Sequence, residues 1–328
     1  MKINKSDYQK YDFLARVAWA YYIEELTQDK IAELYDIPRI KVQRMLKEAS
    51  DKKMVTMSIC NPFCNILSCE KELVKKYGIL DSVVVPTVTS RVYNDLTMAA
   101  AMYLERKWIS KIKLLGIGGG RTLSYLPNAF ETVTQKSDGS KPAVVSLTGI
   151  LAQDAAMSSM DNAQQVAQAM GATFYGVWSP GLAQTEEEFH VLINQKSIRD
   201  SLTLANSAGL KVVSIGTIED NYNGPVLGEN RIGDMDYWKL KEGNVAGELL
   251  AHFFDKDGNI IENSITKRSI VIDIPTKHGK VVAISGGINK LDAIRGALKG
   301  HLVDVLITDY DTCIALLKDE NEQKQTLN

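Results

Sequence analysis

Apolar residues recur at helical spacing through the first fifty positions. Phe13, Leu14, Val17, Ala18, Tyr21 and Tyr22 form one stripe, which predicts a first helix. Thr27 is placed to cap a second helix whose apolar positions are Ile31, Ala32 and Leu34. Asp36-Ile37-Pro38 then interrupts the pattern, because the residue before a proline avoids the α region. A third helix is predicted over residues 39–49, with Val42, Met45 and Leu46 facing inward, and residues 53–59 alternate as a strand or wing would.

Beyond residue 82 the grammar changes. Short β-branched runs recur at 82–85, 113–117, 143–147, 211–215, 281–285 and 304–308, most followed by Gly, Ser or Thr and an amphipathic helix. Near-continuous apolar strands alternating with helices predict a mostly parallel α/β sheet covered on both faces. Residues 68–78 read as a connecting helix, and residues 217–240, rich in Gly, Asn and Asp, as a long loop or lid. The predicted organisation is an N-terminal helix-turn-helix domain over residues 1–58 and an α/β domain over residues 59–328.

Composition adds limits. Apolar residues make up 45% and charged residues 24% of the 328, an ordinary globular balance that argues against long disorder. No apolar run approaches the ~20 residues that cross a bilayer. The first twelve residues are polar and charged and lack a signal-peptide core, so a cytoplasmic protein without membrane contact is expected. The net charge of −2 divides into +2 for residues 1–58 and −4 for the rest. A basic stripe inside an acidic protein points to a local polyanion contact. Cys60, Cys64 and Cys69 cluster, but three and four intervening residues and no nearby histidine argue for reduced thiols rather than a metal site.

The helix-turn-helix carries the sharpest chemistry. Its second helix would enter a major groove with its N-terminal residues at base edges. Arg39, Lys41, Gln43, Arg44 and Lys47 alternate with the inward residues. Gln pairs bidentately with adenine and Arg with guanine. Gln28, opening the preceding helix, suits a phosphate contact.

A second motif, Gly116-Ile117-Gly118-Gly119-Gly120-Arg121-Thr122, follows a strand and precedes a helix. Glycines let backbone N–H groups approach an anion at a helix N-terminus. A dinucleotide fingerprint fails, since Arg121 stands where its third glycine is needed, and no P-loop occurs. Thr148-Gly149, Ser285-Gly286-Gly287 with Lys290, and Thr308-Asp309 end other predicted strands and would line the same crevice. The four histidines are scattered, and 255–259 reads as a turn because Thr266 stands where a calcium loop needs glutamate.

These segments together resemble the SorC family of bacterial sugar-metabolism regulators. The likeness runs through Leu26-Thr27-Gln28 and Arg44-Met45-Leu46, the loop from Gly116 to Leu123, Gly243-Asn244-Val245-Ala246-Gly247-Glu248, and Val282-Ala283-Ile284-Ser285-Gly286-Gly287 with Lys290 and Thr308-Asp309. It implies a Rossmann-like, sugar-phosphate-isomerase-like effector domain, dimers or tetramers on operator DNA, and control by a phosphorylated sugar or polyol. It also implies that residues 118–122 and Lys290 hold phosphate while Glu248 and Asn162 meet hydroxyls. Thr148-Gly149 replaces the Gly-Gly of many members, and Gln43 a common serine. The erythritol-catabolism branch stands nearest, which favours a small polyol phosphate. No cofactor is implied. The alternative is a sugar-phosphate isomerase or deaminase with a DNA-binding appendage, for which Glu248 and Asp309 are the acid-base candidates.

Overall fold

The computed structural model describes residues 5–52, 54–55, 64–88, 91–133, 141–150, 162–218, 240 and 242–318. The chain divides into two compact units, Met1–Cys64 and Asn65–Asn328.

The first unit is a three-helix cluster: α1 (Lys5–Tyr22), α2 (Gln28–Tyr35) and α3 (Arg39–Asp51). Thr27 caps α2, its hydroxyl accepting the Lys30 N–H at 3.3 Å. Asp36 ends that helix in the left-handed region (φ 49°), donating its N–H to the Ala32 and Glu33 carbonyls. Pro38 then starts α3. Val17, Ala20, Ile31, Val42 and Leu46 fill the core between them. Leu34, expected inward, is 59% exposed. The inward row on α2 runs from Ile31 to Tyr35, whose ring meets Phe13 edge-on at 5.4 Å, and this turns Leu34 out. Most of the strand expected at 53–59, and residues 219–239 of the expected loop, lie outside the described residues.

The second unit is an α/β layer structure. Its strands are β1 (Asp81–Val85), β2 (Leu114–Ile117), β3 (Ala143–Ser146), β4 (Phe174–Tyr175), β5 (Leu210–Val213), β9 (Lys280–Ile284) and β10 (Val305–Asp309). They form one seven-stranded sheet in the order β1-β10-β9-β5-β2-β3-β4, parallel throughout. All six expected strands are in it. The antiparallel β6 (Gly247–Leu249), β7 (His252–Phe254) and β8 (Ile260–Ile261) make a separate small sheet.

Side chains alternate across the large sheet, and each face buries its own core. Leu115, Ile117, Val212, Val282 and Ile307 point to the face covered by α5 (Val92–Lys107), α6 (Leu126–Val133) and α7 (Asn162–Met170). Val145, Val213, Ala283 and Leu306 point to the other. There α4 (Cys64–Tyr77), α9 (Lys196–Asn206), α10 (Leu291–Lys299) and α11 (Tyr310–Leu317) pack, and α8 (Glu186–Asn194) lies outside α9. Strand β2 therefore feeds a helix on one face and β9 a helix on the opposite face, with β5 between them. That reversal opens a crevice at the carboxyl ends of the strands.

Candidate functional site

A cleft of about 350 Å³ occupies this reversal point. Its wall takes Arg121 and Thr122 from the loop after β2, Ser214 after β5, and Gly286 to Lys290 after β9. Asp309, Asp311, Thr87 and Tyr93 complete the rim. Tyr93 of α5 stacks on Tyr125 with centroids 5.6 Å apart, which ties α5 to the end of the glycine-rich loop.

The Lys290 side chain reaches inward. It is 8% exposed, and its ammonium donates to the Ile215 carbonyl at 3.2 Å. Burial pushes its pKa down to about 8, the nearby Arg121 charge pushes the same way, and Glu248 opposes both. The residue ends a short 3-10 turn, Ile288–Lys290, and directly precedes α10. A cation there opposes the helix dipole as well as its own desolvation.

The glycine-rich loop is partly committed to the fold. Gly118 donates its N–H to the Val212 carbonyl at 2.9 Å, and a Cβ there would stand 2.9 Å from Leu250. Gly119 accepts the Ser214 hydroxyl at 3.2 Å. Gly120 has φ +116° and accepts the Asn162 amide at 3.1 Å. Asn162, the first residue of α7, thus braces the loop. A 3-10 turn, Leu123–Tyr125, intervenes between Thr122 and α6.

The second strand-end pair stands apart. Thr148 is buried, and a Cβ on Gly149 would lie 2.7 Å from the Ser179 and Pro180 carbonyl oxygens. Among the described residues neither lines the cleft. Glu248 is fully buried on β6, whose backbone exchanges two 3.0 Å hydrogen bonds between Glu248 and Gly216. Its charge acts on Lys290 from there.

Asp309 is a brace. Its carboxylate accepts the Gly287 N–H at 2.7 Å, the Thr312 hydroxyl at 2.7 Å, the Thr312 N–H at 3.0 Å and the Thr87 hydroxyl at 3.2 Å. Four donors occupy its two oxygens, which suits a carboxylate that fixes loops rather than one that moves protons. Thr87, Tyr93, Ser214 and Asp311 are lining residues that sequence reasoning missed. Their role depends on contacts between strand ends more than twenty residues apart.

In the other unit, α3 buries Val42, Leu46 and Ala49. Arg39, Lys41, Gln43, Arg44 and Lys47 are all exposed. Arg39 pairs with Asp29 at 3.3 Å. Gln28 is the first residue of α2 and half-buried.

Residues 61–318 match the family described as "Putative sugar-binding domain". The erythritol catabolism regulatory protein EryD of Brucella abortus is 28% identical over 93% of this chain and 96% of its own. The transcriptional regulator LsrR of Escherichia coli is 24% identical over 93% and 94%. The full-length sorbitol operon regulator SorC of Klebsiella pneumoniae has the same fold, with a TM-score of 0.71 at 20% identity over 94% of this chain and all of that one. Family match, fold and relatives agree, and the chain belongs to the SorC family of sugar-binding transcriptional regulators.

Proposed function

We propose that residues 1–58 bind operator DNA and that residues 59–328 bind a phosphorylated sugar or polyol which changes operator affinity. The observation that carries this reading is the buried Lys290 ammonium beside Arg121, at the crevice where strand connections reverse direction. A phosphate there would neutralise both cations and relieve the cost of burying Lys290 against a helix dipole. Backbone N–H groups of residues 119–122 and the Thr122 hydroxyl supply further donors. Asp309 holds the loop that carries Lys290, Asn162 braces the loop that carries Arg121, and the buried Glu248 acts on Lys290 through its charge.

The likeness to an erythritol catabolism regulator favours a small polyol phosphate and a carbohydrate or polyol operon as target. A single helix-turn-helix has a small footprint, so the working form is a symmetric dimer or tetramer on paired half-sites. It acts in the cytoplasm, and neither cofactor nor metal enters the reading. Among the described residues, no helix is long and apolar enough to cross a membrane.

Thermal shift of the full chain against sugar and polyol phosphates tests the ligand class. A ligand at 100 times its Kd adds about 2.7 kcal/mol. A matching shift from the unphosphorylated parent compound would contradict the phosphate assignment.

A further inference from the structure

Among the described residues, Ile40 is the one large apolar side chain exposed on α3, at 63%. Single exposed apolar residues are ordinary on a protein surface. The position of this one is what sets it apart. At 100° per residue, Val42, Met45, Leu46 and Ala49 form the face turned to the core, and Ile40 falls diametrically opposite. Gln43, Arg44 and Lys47 follow it at i+3, i+4 and i+7, and all three are exposed. The outward crest of α3 therefore reads Ile, Gln, Arg, Lys from its first turn onward. Arg39 and Lys41 flank the crest on either side, about 100° away, where two phosphate strands would run.

A recognition helix meets base edges with its N-terminal residues. The apolar feature of a major groove is the thymine C5-methyl. A cationic crest that begins with a β-branched hydrocarbon therefore fits a groove with a thymine at that depth. We infer that Ile40 reads a thymine by packing on its C5-methyl group, adding a specificity contact to the polar ones of Gln43 and Arg44. This rests on the reading of residues 1–58 as the DNA-binding unit. Trp19 on α1, Ile23 in the turn after it and Leu34 on α2, also exposed, lie outside α3.

The test begins by selecting preferred duplexes from a random library with the full chain, then repeating the selection with Ile40→Ala and Ile40→Val. Each thymine of the selected site is next replaced singly by deoxyuridine, which removes only the methyl. One replacement should weaken wild-type binding about fourfold, the factor for one buried methyl-sized group. Ile40→Ala should be indifferent to that same replacement and should lose the preference for thymine there, while Ile40→Val keeps it. Wild-type affinity unchanged by every deoxyuridine, or an Ile40→Ala selection identical to wild type, would overturn the inference and leave DNA binding standing. Failure of the wild type to enrich any sequence would overturn both.

Discussion

Gly287 donates its backbone N–H to the Asp309 carboxylate at 2.7 Å, and a φ of +102° brings that N–H into reach. The bond joins the loop after β9 to the end of β10. Asp309 is only 1% exposed, and Thr312, which supplies two of its four donors, is buried with it. The geometry also excludes a side chain next door. A Cβ on Gly286 would stand 2.3 Å from Asp309 Oδ2. The loop that presents Lys290 is thus held by a carboxylate and by a glycine that leaves room for it.

Asp309→Asn is expected to destabilise the α/β unit by about 2–3 kcal/mol, because an amide N–H₂ must face donors that were bonded to a charge. Gly286→Ala should act in the same direction by displacing that carboxylate, at about 1–3 kcal/mol. Urea unfolding of both variants measures this. An unchanged midpoint in Asp309→Asn would mean that the brace carries no stability.

Lys290 makes pH informative. Its ordinary value of 10.5 falls to about 8 on folding. The unfolded chain therefore holds the extra proton between these values, and stability rises as pH goes from about 8 to about 10.5. Below pH 8 the folded state bears the full cost of the buried charge. Lys290→Met removes that cost, so its advantage over wild type should be largest at pH 7 and shrink toward pH 10.5. An anion in the cleft reverses the shift. Ligand binding above pH 8 should then take up a proton, seen as a dependence of the calorimetric heat on buffer ionisation enthalpy. Proton release in that range would contradict an anion contact at Lys290.

Helix α3, proposed as the recognition helix, gives a prediction independent of the cleft. Arg44→Ala should cost about 1–3 kcal/mol of operator affinity and relax the preference at one base pair. Lys47→Ala should weaken all sequences alike and flatten the salt dependence. Operator affinity untouched by Arg44→Ala and Gln43→Ala together would remove α3 from the interface.

Much of this was legible from spacing alone. Six parallel strands, the capped α2 and the basic face of α3 follow from local patterns of period 2 or 3.6, and these patterns survive in the fold. The small sheet was not legible. Its hairpin turns on Leu250 and Ala251, both at positive φ (51° and 60°), where a two-residue turn ordinarily shows Asn-Gly. Both side chains are buried, so tertiary packing overrides the local preference. The site was half legible. Glycines and Lys290 at strand ends marked the crevice, whereas the commitment of Gly118 to Val212 and of Asp309 to four donors arises only between distant strands. Spacing alone could not separate residues that touch a ligand from residues that brace them.

The proposed assembly rests on the small footprint of one helix-turn-helix. Sedimentation should give a dimer or tetramer at micromolar concentration, retained when residues 1–58 are removed. A monomer with and without DNA would contradict that reading.

The central claim is that cleft and operator are thermodynamically coupled, and coupling is reciprocal. Operator affinity of the full chain should therefore be measured with and without saturating sugar and polyol phosphates, in wild type and in Lys290→Ala. One phosphorylated ligand is expected to change operator affinity by about 5–150-fold, or 1–3 kcal/mol, with the operator changing that ligand's affinity by the same factor. Lys290→Ala should bind operator normally and lose the response. A response that persists undiminished in Lys290→Ala, or one given equally by the unphosphorylated parent, would contradict the account.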